Sequence, residues 1–296
     1  MKKSSVFFAV MAAVLYSINS PLSKILLEGV SPTMMAALLY LGAGVGLFFV
    51  GLIHKVSAKE QKEDPLTRKE LPFTLAMVAL DIIAPILLMA GLVLTTAANA
   101  SLLNNFEIVA TSFIAIWIFK ENISKRLWIG IVLVTISSIL LSIKDFESFS
   151  FSFGSLLVLG ACVCWGLENN CTRKLSHKNP LHIVVIKGCF SGLGSLIIAG
   201  FRGELITNVF YILMGLLLGF VSFGLSIFFY IHAQRGLGAA RTCAYYAISP
   251  FVGAMLSLLI FKEVPGFMFV VAFIIMIIGT YFTYTEKNVF CDKVTE

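Results

Sequence analysis

At 296 residues the chain is 58% hydrophobic and only 13% charged, with a mean hydropathy of +0.94. A water-soluble domain carries roughly 25% charged residues, so the shortfall excludes an ordinary soluble enzyme or binding module and points to lipid as the solvent. The net charge of +6 would suit an acidic partner, but the placement of the basic residues assigns it to membrane topology, not to nucleic acid.

A helix rises ~1.5 Å per residue and the hydrocarbon core is ~30 Å thick, so about twenty apolar residues make one crossing. That rule predicts ten spans, at 5–27, 32–53, 71–94, 97–119, 127–143, 153–175, 181–200, 208–231, 238–261 and 266–284. The start, MKKSSVFFAVMAAVLYSINS, has the outline of a signal peptide. Its apolar run continues to Leu27, however, and reads better as the first span. After span two the stretch KVSAKEQKEDPLTRKE reads as a solvated connector. Spans one, three and nine each contain a proline (Pro21, Pro85, Pro250), where a lost backbone donor predicts a kink. The six cysteines, Cys162, Cys164, Cys171, Cys189, Cys243 and Cys291, fall mostly in apolar segments without ligand spacing and read as small buried thiols. Neither a disulfide framework, a metal site nor a cofactor is expected.

Seventeen of the 22 Lys and Arg residues fall at span ends on the side of the N-terminus. Lys24, Lys144, Arg202 and Lys262 lie on the other side, and Lys187 lies within span seven. Cytoplasmic loops carry the excess of Lys and Arg, which predicts a multi-pass protein of the cytoplasmic membrane with both termini in the cytoplasm.

Span four, AANASLLNNFEIVATSFIAIWIFKE, is echoed by span nine, AARTCAYYAISPFVGAMLSLLIFKE, at a spacing of 142 residues, with Asn104 over Tyr246. At a spacing of 149, Tyr16-Ser17-Ile18-Asn19 lies over Trp165-Gly166-Leu167-Glu168, and Ser23-Lys24 over Thr172-Arg173. Five spans per half is an odd number, so the second half enters from the opposite face. The expected fold is an all-α integral membrane protein of ten transmembrane helices in two inverted five-helix repeats, 1–147 and 148–296, around a central cavity. Carriers are built on such a plan.

Residues at i, i+4, i+7 and i+11 share a helix face. Such faces carry Asn104, Glu107 and Thr111 in span four, Tyr246 and Ser249 in span nine, Cys164, Glu168 and Cys171 flanked by Asn169 in span six, and Tyr16, Asn19 and Ser23 in span one. Ser and Gly at these positions also serve close helix packing. The cavity candidates are Asn19, Asn104, Glu107, Trp165, Glu168, Asn169, Tyr246 and Ser249. Ionisable groups within a span are costly and face a cavity or a partner, which makes Asp81, Glu107, Glu168 and Lys187 candidates for proton or charge coupling. Each also has a structural reading: Glu107 held by Asn104, Glu168 paired with Lys187 or Arg173, Asp81 bonding backbone freed by Pro85, and Lys187 snorkelling to the surface.

The ten-span plan, with AANASLL…FKE answered by AARTCAYY…FKE and with CWGLENNCTRKLS opening the second half, resembles the drug/metabolite transporter superfamily, in particular its EamA-type members. The resemblance covers about Val6 to Tyr284. It implies a secondary carrier of small metabolites, often an exporter of amino acids or related compounds, with a cavity between the halves and no shared catalytic signature. A proton-coupled exporter of cationic drug-like compounds, using Glu107 or Glu168 with Trp165 and Tyr246, is the alternative; a channel or receptor is a lesser one. An intramembrane enzyme is not expected. The chain has no DxxxD or HExxH motif and no phosphate loop, and His54, His177, His182 and His232 stand near span ends. The expected partners are a small-molecule substrate and membrane lipid; substrate identity and oligomeric state stay open.

Overall fold

The computed structural model describes residues 2–57, 70–119, 124–145, 150–175, 180–237, 242 and 245–284. Most of the charged connector after Ile53, the Lys120-Glu121 ending of span four, His177, Arg241, Cys243 and the tail with Cys291 lie outside these residues.

Apolar spans fold as helices because each backbone group then finds its partner within its own segment. In chain order they are α1 (Lys2–Ser17), α2 (Asn19–Leu26), α3 (Pro32–Ser57), α4 (Leu71–Leu94), α5 (Ala97–Leu103), α6 (Phe106–Phe119), α7 (Lys125–Ser142), α8 (Phe153–Lys174) and α9 (Pro180–Phe201). Then come α10 (Val209–Gly219), which runs through a π-helical stretch (Phe220–Leu225) into α11 (Ser226–Leu237), followed by α12 (Ser249–Phe261) and α13 (Phe267–Tyr284). A small antiparallel hairpin, β1 (Ile143–Asp145) with β2 (Ser150–Phe151), joins α7 to α8. The sequence reading had not anticipated it.

Among the described residues seven helical runs are long and apolar enough to cross a membrane, from Ser4–Leu26 to Val209–Gln234; α12 and the Phe267–Thr283 run are apolar but shorter. α8 is as long as its neighbours but carries Glu168, Asn169, Asn170 and Thr172. Large apolar side chains on the outside, such as Phe113, Trp117, Phe190, Ile197 and Leu259, would be a liability in water and are ordinary against lipid.

Four predicted spans are not single α-helices, span nine among them, with a turn at Ala247–Ile248 ahead of α12. Span one breaks at Ile18. Span four breaks at Asn104–Asn105, where the amides of Asn105, Glu107 and Ile108 reach back three residues and Asn105 Nδ2 donates to the Leu102 carbonyl at 3.2 Å. Span eight carries the π-helical stretch, a feature that often marks a functional site. Pro85 sits inside an uninterrupted α4, whereas Pro250 stands in the first turn of α12, where a missing N–H is harmless. Local chemistry sets several ends: Thr96, Ser124 and Asn208 cap α5, α7 and α10 with side-chain oxygens. Lys262 adopts the left-handed region (φ 52°) to end α12.

First-half helices pack chiefly on second-half ones: α4 on α8, α3 on α9, α7 on α13, α1 on α11. In lipid such pairs are held by close contact through small residues. A Cβ on Gly188 would lie 2.6 Å from Gly44 Cα across α3 and α9, and one on Gly130 2.9 Å from the Gly279 carbonyl across α7 and α13. Ser137 adds a hydroxyl bond to the Ala272 carbonyl at 2.6 Å.

Candidate functional site

Two polar groups meet in the middle of the bundle. In the first, Glu107 lies one residue inside α6, beyond the break at Asn104. The Glu107 amide reaches the Asn104 carbonyl at 3.1 Å across that break, but the expected side-chain bond from Asn104 to Glu107 is replaced. Asn169 of α8 donates from Nδ2 to Glu107 Oε1 at 2.7 Å and to Thr111 Oγ1 at 3.3 Å. Asn104 Oδ1 is buried with no hydrogen-bond partner. Asn104, Glu107, Thr111 and Asn169 are each half-buried. Gly166 permits the approach, since a Cβ there would lie 2.7 Å from that of Ala110.

The second group centres on Lys187 of α9. Its Nζ stands 2.9 Å from Glu168 Oε2 and 3.2 Å from Asp81 Oδ2. Snorkelling is therefore overturned: with two carboxylates in reach, the ammonium is held inside the bundle. The reading of Asp81 as a partner for backbone near Pro85 is overturned as well. Its Oδ1 accepts from the Tyr40 hydroxyl at 3.0 Å, and that hydroxyl in turn accepts from Trp165 Nε1–H at 3.3 Å. Glu168 Oε1 accepts from the Thr172 hydroxyl one turn on. The matched position in span one repeats this geometry without charge, Ser23 Oγ donating to Asn19 Oδ1 at 3.2 Å. Asp81, Glu168 and Asn19 are buried to within 2%.

Aromatic rings continue from Tyr40. Phe223, in the π-helical stretch, lies with its ring centroid 5.7 Å from that of Tyr40 and 5.6 Å from that of Tyr16. Tyr16 stands 5.5 Å from Tyr246, which stands 5.1 Å from Tyr230. The Tyr246 hydroxyl is 3.4 Å from Ser226 Oγ. Tyr16 and Tyr246 both lie within electrostatic reach of Glu107. Ser249 is buried, its hydroxyl without a hydrogen-bond partner.

The structure thus brings Glu107 and Asn169 together, and Asp81, Trp165, Glu168 and Lys187 together; Tyr246 stands with Tyr16, Tyr230 and Ser226. Asn19 serves its own helix. Sequence reasoning missed Tyr40, Phe223, Tyr230 and Ser226. A lone tyrosine in mid-span, whose hydroxyl needs a partner in hydrocarbon, was the available signal for Tyr40. Lys24 donates to the carbonyls of Leu92, Val93 and Thr95 at the end of α4. Among the described residues no cluster of three or more metal-ligating side chains occurs.

The sequence model of the EamA-like transporter family matches residues 3–143 and 152–285. An uncharacterized transporter of Methanothermobacter thermautotrophicus is 28% identical over 291 residues, covering 92% of this chain and 84% of the relative. The uncharacterized transporter YyaM of Bacillus subtilis is 23% identical over 203 residues, covering 65% of this chain and 66% of the relative. One crystal structure superposes with a TM-score of 0.66 at 16% identity, covering 96% of this chain and 98% of the other; that likeness is one of fold.

Proposed function

The chain belongs to the EamA-like transporter family and is a multi-pass membrane transporter; from that premise we propose that it exports small polar solutes, amino acids or related compounds, from the cell. In this reading ten helices form two inverted repeats, 1–147 and 148–296, with both termini cytoplasmic, and alternating access exposes a central cavity to each side in turn.

The packing supports the repeats. The α4–α8 contact has its counterpart in α1–α11, and α3–α9 and α7–α13 each pair a span with its own equivalent. Gly130 and Gly279, which meet across α7 and α13, are 149 residues apart, as are Asn19 and Glu168. The two stretches matched by the family model divide the chain at the same place.

The observation that carries the substrate reading is the half-buried set Asn104, Glu107, Thr111 and Asn169, taken with the Tyr16–Tyr246 ring pair. Carboxylate, amide and phenol together offer both donors and acceptors at mid-span, the mixture a zwitterion or small polar solute requires. Glu107 is the residue assigned to the solute's ammonium or hydroxyl groups, with Asn169 fixing its orientation; Trp165, Glu168, Asn19 and Ser249 complete the proposed lining. The aromatic group of Tyr16, Tyr246 and Tyr230 favours a second reading, a cationic compound held by carboxylate and ring faces.

Counterflow of labelled neutral amino acids into proteoliposomes preloaded with the same unlabelled solute tests this directly. Uptake of one amino acid, competed away by its unlabelled form and lost or altered in pH dependence in Glu107→Gln, is the expected result. A flat response across the panel in folded, inserted protein removes amino acids and leaves the cationic reading. An unchanged Glu107→Gln removes the assignment of that residue.

A further inference from the structure

The contacts around Lys187 form a nearly closed polar circuit. Trp165 Nε1–H donates to the Tyr40 hydroxyl, which donates to Asp81 Oδ1; Asp81 Oδ2 faces Lys187 Nζ, and Nζ faces Glu168, one turn along α8 from Trp165. Tyr40 and Lys187 belong to the packed pair α3–α9, and Asp81, Glu168 and Trp165 to the packed pair α4–α8. The circuit is therefore the polar seam between two helix pairs.

Its two carboxylates are not equivalent. Glu168 accepts from Thr172 at one oxygen and meets Lys187 at 2.9 Å with the other. Asp81 Oδ2, wholly buried, has the ammonium at 3.2 Å without a directed hydrogen bond. Two carboxylates and one ammonium leave one negative charge uncompensated, and one proton neutralises the cluster, the state a membrane interior favours. Asp81 is the one ionisable residue of α4. The charged and titratable groups that act on it are Tyr40 from α3, Glu168 from α8 and Lys187 from α9; Glu107 of α6 acts on Glu168 and Lys187. Lys187, with 23% of its side chain exposed against 0% for Asp81 and 2% for Glu168, is the accessible member of the cluster.

We propose that Asp81 is the proton-coupling residue: it binds one proton at Oδ2, and this releases Lys187 from α4, leaves the lysine paired with Glu168, and loosens the seam between α3–α9 and α4–α8. The new O–H bond replaces an ion pair, the proton comes from water on the side to which the seam is open, and no other group changes charge. The use of this step rests on the transporter reading; its test does not.

Trp165 is the natural reporter. Trp117 and Trp128 lie on the outside, 90% and 42% exposed, and Trp117→Phe with Trp128→Phe leaves Trp165 as the single tryptophan. The full chain in lipid nanodiscs is titrated over about pH 5–9, a range that covers perturbed carboxylates, and Trp165 emission is followed. The expected result is a one-proton transition that is lost in Asp81→Asn and retained in Glu107→Gln. Asp81→Asn mimics the protonated acid and keeps the Lys187–Glu168 pair, so it is expected to fold. Should it not, Asp81→Glu keeps the acid and is expected to move the midpoint. A wild-type emission flat across the range, a transition unchanged in Asp81→Asn, or a midpoint unmoved in Asp81→Glu overturns the proposal. A protein that titrates but shows no counterflow keeps Asp81 as a proton site and loses the exporter reading; one that exchanges solutes without the titration does the reverse.

Discussion

Lys187→Met removes the ammonium while keeping much of the stem's volume, and it leaves Asp81 and Glu168, with side chains 0% and 2% exposed, facing one another uncompensated. Taking one partner from a buried ion pair destabilises by about 3–5 kcal/mol. Two acids lose their counter-ion here, which argues for the upper end, but the 23% exposure of the lysine side chain argues for the lower. A loss of about 3 kcal/mol is the working figure, roughly a hundredfold or more in the unfolding equilibrium at 1.4 kcal/mol per tenfold. The assay is stepwise unfolding in mixed micelles of increasing sodium dodecyl sulfate, followed by helical circular dichroism. The control is the triple variant Lys187→Met, Asp81→Asn, Glu168→Gln, in which the surplus charge is gone and the amides bond to Tyr40 and Thr172. It is expected within about 1 kcal/mol of wild type, since replacing a whole buried ion network is close to neutral. Lys187→Met as stable as wild type, or a triple variant no more stable than Lys187→Met, refutes the charge argument.

Two further outcomes follow from packing and helix ends. A Cβ on Gly219 lies 2.1 Å from the Leu39 carbonyl oxygen, against an ordinary C···O approach of about 3.3 Å, so Gly219→Ala forces α3 and α10 apart and is expected to destabilise by about 1–3 kcal/mol; Gly266→Ala, with nothing within 4 Å, is the neutral control, and equal midpoints for the two refute the contact. Lys24→Met withdraws the donor that Leu92, Val93 and Thr95 share. Because Lys24 is itself partly exposed, the loss is discounted to about 1 kcal/mol and is local: amide exchange at the C-terminal end of α4 is expected to quicken several-fold with the remaining helices unchanged, and unaltered exchange there refutes the cap.

The sequence by itself determined the solvent and the helical form of the apolar runs. Each of these is written in composition and period: an apolar run must satisfy its backbone within itself, so it becomes a helix wherever it occurs. The Phe-Lys-Glu echo and the Asn19–Glu168 correspondence were readable for the same reason, as was the concentration of polar side chains in spans one, three, four, six, seven and nine. Tertiary structure alone decided which of those groups meet. Asp81 and Lys187 are 106 residues apart and Tyr40 and Trp165 125 apart, and no helical period relates positions on different helices. The break at Asn104–Asn105 belongs to the same class. Local propensity allowed a continuous helix there, and the partner that the Glu107 carboxylate finds is Asn169 of another helix. Lys187 shows the physical reason most plainly: a long basic side chain is free to snorkel when alone, and what holds it inward is two carboxylates brought within 3.2 Å by the packing of three helices.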